Sequence, residues 1–262
     1  MLLAVVLPLC QMLLRSVFDP GFTLENLSKL IEVPAYGRVL LNSFRIAGIV
    51  TALTLLAGYP FAYVLNQVGG WPARLMMIAL ILPLWTSDLV RTFAWIIILG
   101  REGPLNSLLQ AVGLTRQPLP LLFNEFSTLV GAVHIMLPFM ILPIYSVMRG
   151  IDPRLVRAAL ALGATPLRAF IHVYLPLTSS GAIAGCLLVF VLATGLYITP
   201  EALGGTGQTM VAQMIDTLGR RTLNWGLASA VALALLGATT LILALYNRFF
   251  GLDRSIAPSR QS

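Results

Sequence analysis

Asp88 and Arg91 are opposite charges three residues apart inside an otherwise apolar stretch, and Trp85 and Trp95 flank them at helical spacing. A charge near the bilayer centre costs roughly 2.5–3.5 kcal/mol on insertion scales, so such residues face protein or water rather than lipid. Two uses fit the pattern. The pair can neutralise itself near a helix end, or Asp88 can contact a cationic solute while Trp85 and Trp95 offer their ring faces to it. Arg91, and Arg45 in the preceding apolar stretch, speak against a path that selects cations alone. Covalent chemistry has no comparable foothold. The 262 residues contain no HExxH zinc site, no GxSxG elbow and no GxxxxGK[ST] phosphate loop, so this chain is not expected to hydrolyse ATP itself. His134 and His172, the two histidines, lack a spaced ligand partner, and Cys10 and Cys186 form no CxxC pattern or disulfide framework. We expect no catalytic residue, metal or cofactor here.

The segment from Arg149 to Pro176 is built differently. Asp152 followed by Pro153 is a helix start: the carboxylate accepts from a first-turn N–H and proline supplies the fixed φ of the first helical position. Leu155, Val156, Ala159 and Leu162 recur at helical spacing until Gly163 stops the helix. Thr165-Pro166 repeats the start signal, and Leu167, Phe170, Ile171 and Tyr174 follow before Leu175-Pro176. The pattern predicts two short helices joined by a glycine turn, with Arg154, Arg157 and Arg168 projecting. A helix of roughly 10 residues does not hold itself in water, so its apolar face must dock on lipid or on a partner.

Arg157-Ala158-Ala159, three residues, Gly163, nine residues and Val173-Tyr174-Leu175-Pro176 resemble the EAA loop of permease subunits from binding-protein-dependent ABC importers. Gly58-Tyr-Pro-Phe-Ala62, Leu82-Pro-Leu-Trp-Thr86 with Arg91, Leu137-Pro-Phe-Met140 and Gly185-Cys-Leu-Leu188 extend the similarity to the spermidine/putrescine permease branch. The resemblance implies a type I importer half, with a second permease subunit, a cytoplasmic ATPase dimer that carries ATP and Mg, and a periplasmic solute-binding protein. It also implies that the first loop helix seats in a cleft of the ATPase and transmits its closure to the membrane helices. One residue departs from the pattern, since Arg157 stands where the family has glutamate. Exposed ion pairs are worth only about 0–1 kcal/mol, so this change need not abolish docking. The resemblance points to a polyamine, while an opine, amino-acid derivative or phosphonate would use the arginines. A standalone channel or secondary carrier is the rival class, although it has no need of an ATPase socket.

The elements that must position these residues are membrane helices. The chain is 58% hydrophobic and only 10% charged, with a mean hydropathy of +0.87; it cannot coat a soluble domain with polar surface. Six apolar runs are long enough to cross a bilayer, at about residues 2–18, 40–64, 75–99, 129–148, 181–198 and 227–246. We therefore expect an all-α integral membrane protein, a single transmembrane domain over residues 1–262 with the coupling loop 149–176 between helices 4 and 5. The first run has no basic stretch before it, which argues for a membrane helix lacking some N-terminal flank rather than a signal peptide. Pro60, Pro83, Pro138 and Pro143 fall within or near apolar runs and favour kinks, tolerated in membranes where protein or a water-filled cavity satisfies the freed backbone. Lys+Arg number 17 against 10 Asp+Glu, a balance suited to an anionic leaflet rather than to nucleic acid.

Alternate connecting segments set the orientation. Arg74, Arg149, Arg154, Arg157, Arg168, Arg248, Arg254 and Arg260 share one side, opposed only by Asp152 and Asp253, whereas the other side mixes seven basic residues with most of the acids. By the positive-inside rule, with the acidic segregation as support, both termini and the loop 149–176 are expected in the cytoplasm of a cell whose inner membrane the chain crosses several times. Arg154→Cys in a background free of Cys10 and Cys186 is then expected to resist an impermeant thiol reagent in intact cells and to react once the membrane is opened. Labelling from outside would invert the orientation.

Overall fold

The computed structural model describes residues 10–11, 14–18, 21–205 and 207–250. Among these the chain is all helix and connecting turn, with no strand. The helices are α1 (Glu25–Glu32), α2 (Pro34–Gln67), α3 (Gly70–Ile81), α4 (Asp88–Leu99), α5 (Pro104–Ala111), α6 (Glu125–Gly150) and α7 (Pro153–Ala161). They continue as α8 (Pro166–Thr194), α9 (Ile198–Leu203), α10 (Val211–Asp216) and α11 (Trp225–Phe250). Four of them, α2, α6, α8 and α11, are single helices long and apolar enough to cross a membrane. Most of the first apolar run, and the tail with Asp253, Arg254 and Arg260, lie outside the described residues.

The run predicted at 75–99 is not one straight span. Gly70–Trp85 and Asp88–Ala111 are bent by 106° across a short break, so the pair supplies a fifth crossing only if taken together. A 12-residue helix such as α3 or α4 extends only about 18 Å, short of a hydrocarbon core of about 30 Å. The break has a local cause. Leu82–Trp85 tightens into a 3-10 turn around Pro83, and Thr86 turns extended while both its N–H and its hydroxyl donate to the Pro83 carbonyl, at 3.1 and 2.8 Å. Ser87 then caps α4 by accepting from the Leu89 N–H. Hydropathy is blind to this, because the stop and the new start are made by two small hydroxyl residues. Pro60, Pro138 and Pro143 behave otherwise, since α2 and α6 run on through them.

The chain divides into two compact units. One comprises residues 47–119 and 129–193, and its core is a close approach of α6 to α2 and to α8. On α8 the stripe Thr178, Gly181, Gly185, Val189 and Ala193 is buried, and it has almost no side-chain bulk in its middle. A Cβ on Gly181 would stand 2.9 Å from the Pro143 carbonyl oxygen and 3.0 Å from the Ile144 Cα; one on Gly185 would meet the Met140 sulfur at 2.8 Å and its carbonyl at 3.0 Å. From the α2 side, a Cβ on Gly58 would lie 3.1 Å from the Met140 side chain. Glycines four apart let two helix backbones approach closely, which in lipid replaces the hydrophobic drive that water would supply. Tyr59 and Thr178 add a half-buried 2.7 Å hydroxyl–hydroxyl bond between α2 and α8.

The other unit comprises residues 1–46, 120–128 and 194–262. Polar side chains tie its short helices: Ser43 accepts from the Val211 N–H at 2.8 Å, and Ser127 donates to the Leu203 carbonyl at 2.7 Å. Arg45 is paired with Glu125 at 2.6 Å, which accounts for an arginine in an apolar stretch. Tyr197 donates to Asp216, and that hydrogen bond to a carboxylate raises its phenol above the ordinary range.

Gly181→Val is expected to destabilise the chain by about 1–3 kcal/mol through overpacking against backbone atoms that cannot swing away. Gly237→Val, on α11 where a Cβ meets nothing within 4 Å, is the control expected to melt like the wild type. Equal melting temperatures for both variants in detergent would show that the α6–α8 approach is dispensable.

Candidate functional site

The loop between α6 and α8 carries the clearest functional geometry. Asp152 accepts from the Arg154 N–H at 2.8 Å with Pro153 in the first turn, as its sequence predicts. At the other end the Gly163 N–H reaches the Leu160 carbonyl at 3.0 Å and the Ala164 N–H reaches back to Ala159 at 3.1 Å, while Gly163 sits at φ +89. This crossed pair of bonds around a left-handed residue is the Schellman arrangement, and it is inexpensive only for glycine. Thr165 accepts from the Arg168 N–H and starts the next helix.

That next helix is not a separate short element. It continues through Leu175 and Pro176 to Thr194 as one 29-residue helix, where the sequence predicts a stop at Leu175-Pro176 and a new start near Gly181. The turn Phe170–Tyr174 opens to π geometry, with the Leu175 N–H reaching five residues back to the Phe170 carbonyl. Proline in a helix lacks a donor and crowds the carbonyl four residues before it. Widening the turn just ahead of Pro176 relieves the crowding, so the proline is absorbed.

The nine-residue α7 has no buried residue. One face, Pro153, Val156, Arg157 and Leu160, lines a cavity of about 560 Å³ together with the C-terminal ends of α2 and α6 and the start of α8. The opposite side presents Leu155 (48% exposed), Ala158 and Leu162 (90% exposed) to the outside, with Leu167 beyond the turn also exposed. The structure thus places Arg157 on the cavity side of α7, and the outward surface at the loop is made by leucines and Ala158. Exposed leucines grouped on a short surface helix need covering by lipid or by a partner.

Sequence reasoning missed the residues that hold this loop. Tyr63 packs edge-on against Phe170 and Tyr174 at centroid distances of 5.5 Å each, and Asn66 donates to the Tyr174 hydroxyl at 3.2 Å. Their signal was present: Tyr59, Tyr63 and Asn66 share one face of α2, and Phe170, Tyr174 and Thr178 share one face of α8. Nothing in the sequence says that the two faces meet.

Asp88 and Arg91 form an ion pair. Arg91 is only 9% exposed and Asp88 46%; the remaining Arg91 nitrogens, Nε and Nη1, are buried without a partner among the described residues. Trp85 is 87% exposed. Trp95 instead donates from Nε1 to His134 Nδ1 at 3.3 Å, with the rings edge to face. A second cavity of about 310 Å³ by Pro83 is lined by His134, Phe61, Leu137 and Pro138, and neither Asp88 nor Trp85 lines it. Asp88→Asn is expected to cost about 1–3 kcal/mol, less than for a wholly buried pair because its carboxylate is half exposed. Asp88→Asn/Arg91→Met should recover most of it, since the stranded charge is then gone. A double variant as unstable as the single one, by thermal melting in detergent, would refute the pairing.

Comparison with known proteins identifies the family and the fold. Residues 47–252 match the family described as binding-protein-dependent transport system inner membrane component. The spermidine/putrescine transport system permease protein PotB of Haemophilus influenzae is 38% identical over 226 residues, covering 86% of this chain and 79% of the relative. The protein of the same name from Escherichia coli is 36% identical, covering 87% and 82%. The inner membrane ABC transporter permease protein YdcU of Escherichia coli is 31% identical, covering 89% and 78%. Among solved structures, a bacterial ABC transporter involved in the import of the acidic polysaccharide alginate superposes with a TM-score of 0.69 at 18% identity, covering 96% of this chain and 90% of that one. A crystal structure of a bacterial alginate ABC transporter, in complex with its alginate pentasaccharide-bound periplasmic protein, superposes with a TM-score of 0.62. The fold is that of an ABC importer permease, and the chain belongs to the family of binding-protein-dependent transport system inner membrane components.

Proposed function

We propose that this chain, a multi-pass inner-membrane permease, passes a polyamine such as spermidine or putrescine from a periplasmic binding protein to the cytoplasm by alternating access. In this reading ATP and Mg are held by a separate cytoplasmic ATPase dimer, a second permease subunit completes the path, and both termini face the cytoplasm. The observation that carries it is the loop α7–Gly163–α8. A doubly capped helix with leucines turned outward has no internal use for that surface, and an ATPase cleft would cover it. Arg157, Ala158, Ala159, Gly163, Leu175 and Pro176 form the coupling element, with Ala158 and the outward leucines as its contact and Gly163 as its pivot.

The solute class rests on the permeases named for spermidine and putrescine and on which charges are accessible. Of the two residues that argued against a cation, Arg91 is nine-tenths buried and Arg45, half exposed, is paired with Glu125, whereas Asp88 is half exposed and the Trp85 indole is exposed. A carboxylate and an aromatic face are the groups that suit an alkylammonium ion. An opine or phosphonate would need the guanidinium at the surface instead.

The test uses the assembled importer in proteoliposomes with its loaded binding protein. Spermidine or putrescine should stimulate ATP hydrolysis and accumulate inside. Stimulation by an opine or phosphonate and not by either polyamine would overturn the solute. Gly163→Leu should insert normally yet lose uptake and stimulated hydrolysis together. Its cost within the chain is confined to the left-handed backbone, roughly 1–2 kcal/mol, because a Cβ there meets nothing within 4 Å. A lost activity then reports on the partner surface. Normal uptake by Gly163→Leu would remove this loop from the coupling role.

A further inference from the structure

The cavity of about 560 Å³ behind α7 has a chemistry that the transport cycle does not use. Three membrane-crossing helices end at it, α2 at Gln67, α6 at Arg149 and Gly150, and α8 at Pro166. These helices run 34, 26 and 29 residues, more than the roughly 20 that a hydrocarbon core needs, so their ends reach into the headgroup region. Its charged residues are Arg149 and Arg157, and no carboxylate lines it. Neither arginine has an ion-pair partner among the described residues. The remaining wall is mostly apolar and aromatic, with Asn66 and Gln67 at the end of α2 and with Tyr63 edge-on to the stacked rings of Phe170 and Tyr174.

Two unpaired guanidinium groups over an aromatic wall at the membrane boundary ask for a ligand with one anionic end and one apolar end. Guanidinium is the cation suited to phosphate oxygens because its donors are fixed in a planar fork. A free inorganic anion would satisfy the arginines and leave the aromatic wall wet. An acidic side chain of the ATPase would approach the outward face of α7, which carries Leu155, Ala158 and Leu162, whereas Arg157 lies on the cavity side. We propose that this cavity binds an anionic phospholipid of the adjoining leaflet, its phosphate held by Arg149 and Arg157 and its glycerol and upper acyl region laid against Tyr63, Phe170 and Tyr174. The substitution of arginine at the motif's glutamate position is then a lipid contact that steadies α7 from behind.

Native mass spectrometry of the full-length chain in a neutral detergent, with phosphatidylglycerol and phosphatidylcholine of the same acyl chains, reads this directly and independently of transport. Wild type should retain phosphatidylglycerol over phosphatidylcholine by about thirtyfold, the scale set by two basic side chains at a membrane surface. Arg149→Gln/Arg157→Gln should erase that preference. Arg149→Lys/Arg157→Lys should keep most of it, which separates loss of charge from loss of fold. Arg154→Gln/Arg168→Gln should keep it too, because those arginines do not line the cavity. Equal lipid retention by wild type and Arg149→Gln/Arg157→Gln would overturn the site, and displacement of the lipid by inorganic phosphate alone would assign it to a free anion instead.

Discussion

The close backbone approach of α6 to α2 and α8 is the contact on which the other features of its unit depend. Lipid tails are as apolar as leucine, so burying leucine between membrane helices gains little, and packing must come from how near two backbones can come. At Met140 that limit is reached from two sides, since Gly58 and Gly185 each leave just enough room for its side chain and backbone. Met140 is fully buried, and methionine is the apolar side chain best able to fill an irregular gap. Three of the stretches that carry the family resemblance, at Gly58, Met140 and Gly185, are therefore one packing contact seen from three helices.

Fixing that contact fixes what lies at the ends of the helices. From Gly58 the face of α2 continues through Tyr59 and Tyr63 to Asn66, and from Gly181 the face of α8 runs back through Thr178 and Tyr174 to Phe170. These side chains meet because the glycines have already set the distance. Hydrogen bonds at membrane depth are individually modest, about 0.6 kcal/mol on average. Their role here is register, because a hydroxyl that must find one partner resists sliding in a way that leucines do not.

The all-α class, the approximate positions of the long spans and both caps of α7 were legible in the sequence, because each rests on local chemistry: apolar length, a carboxylate before a proline, a glycine after a periodic face. A kink at Pro83 was legible, but a full break of the third span was not, since Thr86 and Ser87 are too small to lower the hydropathy of a long apolar run. Nor was the continuity of α8, because proline ordinarily ends a helix and the relief comes from a π turn that no residue type announces. The pairing of Asp88 with Arg91 followed from their spacing, but which of the two would be buried did not. The side of α7 on which Arg157 lies was likewise beyond reach, for a nine-residue helix with no buried residue has two plausible faces.

In the proposed coupling, continuity of α8 bears on how a signal at the loop would reach the membrane. Were α8 interrupted at Pro176, the loop would be a hinged flap, and a displacement of α7 would dissipate at the joint. As one helix from Pro166 to Thr194, α8 transmits displacement along its hydrogen-bonded backbone, so that a push at Thr165 moves Gly181 and Gly185 with it. The compliant point is then Gly163, where the left-handed turn joins α7 to the rod. A partner covering Leu155 and Leu162 would act on a short arm with a single swivel, and the arm is backed by the aromatic cluster of Tyr63, Phe170 and Tyr174. The tight glycine contact against α6 sits partway along that rod. Motion at the loop must therefore be resolved either as sliding at that contact, which backbone atoms about 3 Å from each glycine Cβ position oppose, or as rotation that carries α6 and α2 along. Interfaces packed this closely shift as rigid groups rather than deform, and the second course is the one the geometry favours.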